Sequence, residues 1–341
     1  MKLTWHRKNL HLKHPFNIAS VQRQQTTEKQ VLLARIEHKD HIGWGEASPV
    51  SYYHQSKESA EAVFQQAASM LGNDPFAFDA ILDPLFEKFP DQPAAISAID
   101  IALHDLAGHL LGIPVWKWFG LDAKRIPITS FTIGIDTLDV IRQKVHEAAD
   151  YPILKVKVGT DNDDAILTAI RDVAPDKTLR VDANGGWNDQ NVLERCTHLA
   201  KKYRLEFIEQ PTPAGHHDAL PAVLHANPCP IVADESCLGP DDVLGLVTAF
   251  DGINIKLSKC GGIRRALRMI HTARAAGLKI MLGCMVETSV GISAAAQLAP
   301  LVDWIDLDGH MLLADDPFEG IGGNHGKLTL NDKPGLGLSE K

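Results

Sequence analysis

The sequence predicts an α/β protein: a (β/α)8-type barrel with an N-terminal α+β capping domain, completed by a C-terminal tail. Three observations predict it. Beyond residue 120, short apolar strands alternate regularly with amphipathic helices, which implies a parallel sheet. Eight such strands occur, the number that closes into a barrel. Before residue 120 the texture differs, because strand patterns come first and three helical patterns follow them. The expected division is a capping domain at 1–120, a barrel at 121–312 and a tail at 313–341 that returns to the cap.

Residues 1–50 alternate in polarity as half-buried antiparallel strands do. The first strand is "LTWHRKNLHL". A polar stretch, "HPFNIASVQRQQTTEKQ", separates it from "VLLARIEHKDHIGWGEA", which reads as a hairpin. The helical patterns are "SKESAEAVFQQAASML", "PFAFDAILDPLFEKF" and "PAAISAIDIALHDLAGHLLG". The last is nearly apolar apart from His104, Asp105 and His109, so burial on most sides is expected. The barrel strands are "IPITSFTIG", "ILKVKVG", "LRVDANG", "EFIEQP", "IVADES", "GINIKLS", "IMLGCM" and "WIDLDG", each but the last with a helix after it. The tail is rich in glycine and proline.

Composition narrows the function classes. The 341 residues are 45% hydrophobic and 23% charged, as in an ordinary globular protein. A net charge of −9 argues against nucleic-acid binding. The cysteines are scattered, with no C-x-x-C pair, which is the usage of reduced thiols. The N-terminus has no apolar h-region, and no run of about 18 apolar residues occurs, so a cytoplasmic protein without a membrane segment is expected.

Active sites of such barrels form where strands run into the loops that follow. At those ends stand Lys155 and Lys157 on the second strand, Asp182 on the third, Glu209 on the fourth, Asp234 on the fifth, Lys256 on the sixth, and Asp306 and Asp308 on the eighth. Lys155 and Lys157, two apart on one strand, point the same way. A single aspartate at a strand end is more often a helix cap. Six charges on five successive apolar strands are too costly to bury unless they act on one another or on a bound group.

Three carboxylates with no His or Cys set nearby suit a hard cation, Mg2+ ahead of Ca2+ or Zn2+. Lys157 and Lys256 lie four strands apart and should face each other with the metal set between them. Two bases so placed remove a proton from one face of a carbon and return one to the other. The metal would hold a substrate carboxylate and stabilise the resulting enediolate. Like charge from Lys155 and the metal, with burial, should lower the catalytic lysine pKa from its ordinary value of ~10.4. Lys155 would supply positive charge near the enolate oxygens.

These motifs resemble the enolase superfamily, in its muconate-lactonising-enzyme subgroup, from "GWGEASP" through "LKVKVG", "VDANGGW", "FIEQP", "ADES" and "NIKLSKCGG" to "DLDG". The resemblance implies Asp182, Glu209 and Asp234 as Mg2+ ligands and Lys157 and Lys256 as the acid/base pair. The D-x-D of the eighth strand resembles the dipeptide epimerase signature and implies that Asp306 and Asp308 bind the α-ammonium of a dipeptide. "SFT" resembles the segment whose threonine contacts substrate, here Thr132. "GCMVETSVG" resembles the pocket lining of strand seven, here Cys284, Met285 and Val286. Members acting on Ala-Glu place an arginine in the loop after the first strand. Here Arg23 stands two positions beyond that place, which Val21 occupies, so Ala-Glu and uncharged dipeptides such as Ala-Ala both stay open. The implied activity is Mg-dependent dipeptide epimerisation, L-Ala-D/L-Glu epimerase-like, in a possible homo-oligomer. The alternatives are o-succinylbenzoate synthesis, N-acylamino acid racemisation, cycloisomerisation, or a catalytically silent metal-binding homologue.

Overall fold

The computed structural model describes residues 1–16, 26–188 and 190–341. Strands β1 (Lys2–Phe16), β2 (Thr26–His38) and β3 (His41–Ala47) form an antiparallel sheet in that order. His38 pairs with His41 across a tight turn, and Lys39 at φ 53° supplies the left-handed backbone such a turn needs. Helices α1 (Lys57–Ala67), α2 (Phe78–Lys88) and α3 (Pro93–Leu111) follow.

α3 begins on a proline and ends at Gly112 in the left-handed region, φ 71°. Every residue from Ala94 to Gly108 is buried. Its length and hydropathy would suffice to cross a membrane, yet 83% of that window is buried inside the protein, as befits a core helix. β3 presses directly on it. A Cβ at Gly45 would lie 1.9 Å from Ala98 O, so the "GWG" of β3 is a packing requirement.

The barrel strands are β4 (Phe131–Ile133), β5 (Ile153–Lys157), β6 (Thr178–Asp182), β7 (Leu205–Glu209), β8 (Ile231–Ala233), β9 (Gly252–Ile255), β10 (Lys279–Gly283) and β11 (Trp304–Asp306). They form one eight-stranded parallel sheet in chain order. Thr129 pairs in parallel with Ile305, and Leu307 N donates to Thr129 Oγ1 at 2.8 Å, joining the two edges.

One expected helix is missing. After β8 the chain forms only a 3-10 turn, Val243–Leu246. Gly239, Pro240 and Gly245 interrupt that stretch, and Asp242 Oδ2 accepts from Leu238 N and Gly239 N, each at 2.8 Å. Those bonds fold the segment into turns where a helix was expected.

The barrel interior is layered. Phe207, Val232, Met281 and Trp304 form an apolar cluster separate from the larger core between strands and helices. Two residues further along β7 and β11 stand Glu209 and Asp306, and two beyond Val232 stands Asp234. Strand periodicity therefore sets the charged groups one layer above an apolar floor. The tail reaches the cap: Phe318 meets Trp44 with ring centroids 5.2 Å apart, and Leu336 N donates to Asp105 Oδ1 at 2.7 Å.

Candidate active site

Asp182, Glu209 and Asp234 are buried, and one carboxylate oxygen from each lies within 4.8 Å of the others. Lys155 Nζ stands 3.1 Å from Asp182 Oδ2, 2.7 Å from Glu209 Oε2 and 2.8 Å from Asp306 Oδ2. Lys157 Nζ is 2.7 Å from Asp182 Oδ2, and Lys256 Nζ is 2.8 Å from Asp234 Oδ2. Lys157 of β5 and Lys256 at the β9 end thus flank the triad in strand order, bound to different carboxylates, while Lys155 joins Asp182 and Glu209. Glu209 Oε2 faces Lys155 as an ion pair but accepts no hydrogen bond, while Oε1 accepts from Asn254 Nδ2 at 2.7 Å.

Burial pushes the Glu209 carboxyl up to about 7, and Asp182 adds to it. Burial also opposes ionisation of Asp182, but Lys157 and Lys155 outweigh it and hold that group down at about 2. Asp234 is lowered further by Lys256 and Lys259. Three buried carboxylate oxygens within 4.8 Å of one another, with no His or Cys donor among them, suit a small oxygen-seeking dication, so the donor set fits Mg2+.

In the metal-free fold the anions around Lys256 set the direction of its pKa, whereas the expected lowering counts Mg2+ among its causes. Burial presses its pKa down, but Asp234 at contact distance, with Glu209 and Glu235 nearby, holds it above the ordinary lysine value. Anions in this cluster outweigh the like charge of Lys155.

The D-x-D carboxylates take different partners. Asp306 accepts from Ser130 Oγ at 2.6 Å and from Lys155 Nζ at 2.8 Å. Lys155 lowers its pKa although burial opposes this. Asp308 Oδ2 accepts from Thr132 N at 2.7 Å, and burial beside Asp306 pushes Asp308 up to about 7. A cation arriving at Asp308 would stabilise its ionised form. Thr132 thus enters through its backbone. Cys284 Sγ donates to Asp306 O at 3.2 Å, and burial with Asp308 and Asp306 keeps it a thiol. Met285 is half-buried, whereas Val286 packs on Leu10, Val31 and Leu313, towards the cap. Arg23 lies outside the described residues.

Sequence reasoning missed several members of the cluster. Lys259 is buried, and its Nζ donates to Asp234 O at 2.6 Å, to Asp234 Oδ1, to Asn254 O at 3.1 Å and to Cys237 O at 3.2 Å. Its only sequence signal is a second lysine three residues after Lys256. Glu46 is another. From β3 it accepts Thr288 N at 3.0 Å, Thr288 Oγ1, and Gly291 N at 3.1 Å, tying the cap to the helix Ser289–Ala296.

Burial, with Glu287 beside it, pushes Glu46 up to about 8, and burial takes Glu287 up to about 7. Both values lie above the ~4.3 of an exposed glutamate. At these two sites the folded chain therefore keeps protons the unfolded chain has shed, and their contribution to stability falls as pH rises from about 5 to about 8. Glu46→Gln should remove its share. Its unfolding free energy should gain on wild type by up to ~1.4 kcal/mol per pH unit over that interval in urea titrations. A difference constant with pH would contradict this.

Comparison with known proteins follows the same lines. The family described as Mandelate racemase / muconate lactonizing enzyme, N-terminal domain, matches residues 2–120, and the Enolase C-terminal domain-like family matches residues 139–340. The chain is 44% identical to an L-Ala-D/L-Glu epimerase of Bacteroides thetaiotaomicron, over 99% of this chain and 88% of that one. It is 38% identical to an L-Ala-D/L-amino acid epimerase of Maribacter sp., over 99% of each. Among solved structures, the dipeptide epimerase of Enterococcus faecalis V583, complexed with Mg and L-Leu-L-Tyr, superposes with a TM-score of 0.92 at 33% identity, covering 99% of each chain.

Proposed function

The chain belongs to the mandelate racemase / muconate lactonizing enzyme family and is a dipeptide epimerase, and from that premise we propose how its residues divide the work. The cofactor is Mg2+. We assign it to Asp182, Glu209 and Asp234, where it would hold the substrate carboxylate and stabilise the negative charge that builds there as Cα loses its proton.

One lysine of the pair Lys157 and Lys256, in its neutral form, takes the Cα proton of the C-terminal residue. The C–H bond breaks, an N–H bond forms, and the electron pair moves into the carboxylate. The other lysine, as ammonium, delivers its proton to the opposite face and inverts the centre. Lys155 contributes fixed positive charge beside Asp182 and Glu209. Asp308, with Asp306, receives the substrate's α-ammonium, and Thr132 N holds the Asp308 carboxylate in place. Cys284, bound to Asp306 O, borders the pocket with Met285, while Val286 faces the cap. The reading rests on one observation above all: two buried lysines, Lys157 of β5 and Lys256 at the end of β9, are each bound to a different member of one carboxylate triad.

The test uses L-Ala-L-Glu and L-Ala-L-Ala with Mg2+ in D2O, followed by proton NMR. Loss of the Cα signal together with appearance of the L-Ala-D epimer is the expected result for at least one of them. Asp308→Asn should lower kcat/KM by about 10²-fold or more, because the ammonium loses a buried charged partner. If Asp308→Asn leaves dipeptide turnover unchanged, or only N-acylated amino acids without a free ammonium react, the assignment fails.

A further inference from the structure

The helix that follows the Lys256 turn has no capping side chain of its own. This helix, Ile263–Ala275, starts after Gly262, at φ 109°. Its first amide finds an acceptor on another part of the fold, since Ile263 N donates to Asp100 Oδ2 of α3. Asp100 is fully buried, so its carboxylate is held for this contact inside the fold. A Cβ at Gly262 would sit 2.3 Å from Asp100 Oδ2, so only glycine lets the two elements approach this closely. The turn between is compact: Lys256 O accepts from Lys259 N at 2.9 Å and Cys260 N at 3.0 Å, and Leu257 O accepts from Gly261 N at 2.9 Å and Gly262 N at 3.0 Å. A second tie to the cap lies inside it, where Ser258 Oγ donates to Ser48 O at 3.1 Å.

The opposite lysine is anchored differently. The turn after Lys157 is fixed within the barrel by Asp163, which accepts Gly159 N at 3.1 Å, Thr160 N at 2.9 Å and Trp187 Nε1 at 2.8 Å. We propose that Asp100 is a positioning residue for Lys256, a helix cap supplied across the fold that sets the place of one base and leaves the other untouched. The inference rests on the two-lysine reading above. It gives α3 a part in catalysis on one face of the substrate carbon only.

That asymmetry is the readout. Each epimer of the substrate is incubated separately with Mg2+ in D2O, and Cα exchange and inversion are followed by proton NMR. Asp100→Ala should slow inversion by about 10- to 100-fold, the scale of a base displaced by a fraction of an ångström to an ångström. Exchange should fall equally for the epimer that Lys256 deprotonates and stay within about 2-fold of wild type for the one that Lys157 deprotonates. Asp100→Asn should restore both, because asparagine caps as well as aspartate. Gly262→Ala, which pushes Asp100 aside but keeps its carboxylate, should reproduce the one-sided loss and serves if Asp100→Ala does not fold. Equal slowing of both epimers, or unchanged inversion, overturns the proposal while the two-lysine reading stands. If the wild-type chain exchanges neither epimer of any dipeptide, both fall together.

Discussion

Lys256→Met should nearly stop inversion yet leave solvent exchange at the substrate carbon, seen from one epimer alone. Methionine keeps the length and apolar stem of lysine without a basic nitrogen. In the wild-type chain Lys256 is bound to Asp234 and Lys157 to Asp182, so each base depends on its own carboxylate. Removing one nitrogen leaves the other able to take a proton, trade it with solvent and return a deuteron to the same face. General-base contributions run to about 10²–10⁴-fold, so inversion should fall by about 10³-fold or more, with exchange of the spared epimer within about 10-fold of wild type. Lys157→Met should give the mirror image. Proton NMR of each epimer in D2O decides it. Two variants that lose exchange from both epimers would mean that the lysines do not serve separate faces.

The second large effect is on stability. Lys155 is buried and touches Asp182, Glu209 and Asp306 at once. Lys155→Met removes the cation common to all three and leaves buried carboxylates opposing one another. Breaking a buried ion pair by deleting one partner costs about 3–5 kcal/mol, and the metal-free variant should lose that much in urea unfolding. Mg2+ restores positive charge at two of the three carboxylates and binds only the folded chain, so saturating Mg2+ should recover part of the loss. A variant as stable as wild type without metal would mean that the cluster accommodates its charge in another way.

Much of the site is legible in the order of residues. The period-two pattern of "ILKVKVG" puts Lys155 and Lys157 on one face, and both lie inside the barrel mouth. Asp182, Glu209, Asp234 and Asp306 stand at the ends of apolar strands, and they converge because parallel strands in chain order bring equivalent positions side by side. The helix expected after β8 fails for a local reason, since glycines and an aspartate-bound turn outweigh the apolar run "VLGLV".

Pairing is not legible in that way. Asp306 is expected to receive an ammonium from substrate, yet it also accepts one from Lys155 of this chain. The Asp234 contact that raises the pKa of Lys256 in the metal-free fold has no signal in the sequence either, because the sign depends on which neighbour lies within about 3 Å, and contact energies change steeply with distance and burial. Lys259 and Asp100 carry no pattern of their own. The first reads as one more lysine in a turn, and the second as a polar residue in an apolar helix far from the chain segment it caps.

The alternation of polar and apolar residues was enough by itself to determine the strand and helix periods, the closed parallel barrel, and the ring of charges at its mouth, because those follow from repeats of two and of about 3.6 residues. Only the tertiary structure decided which carboxylate holds which lysine, where the cap grips the barrel, and which way each proton affinity moves. Those depend on distances between groups far apart in the chain, set by packing, and no local repeat encodes them.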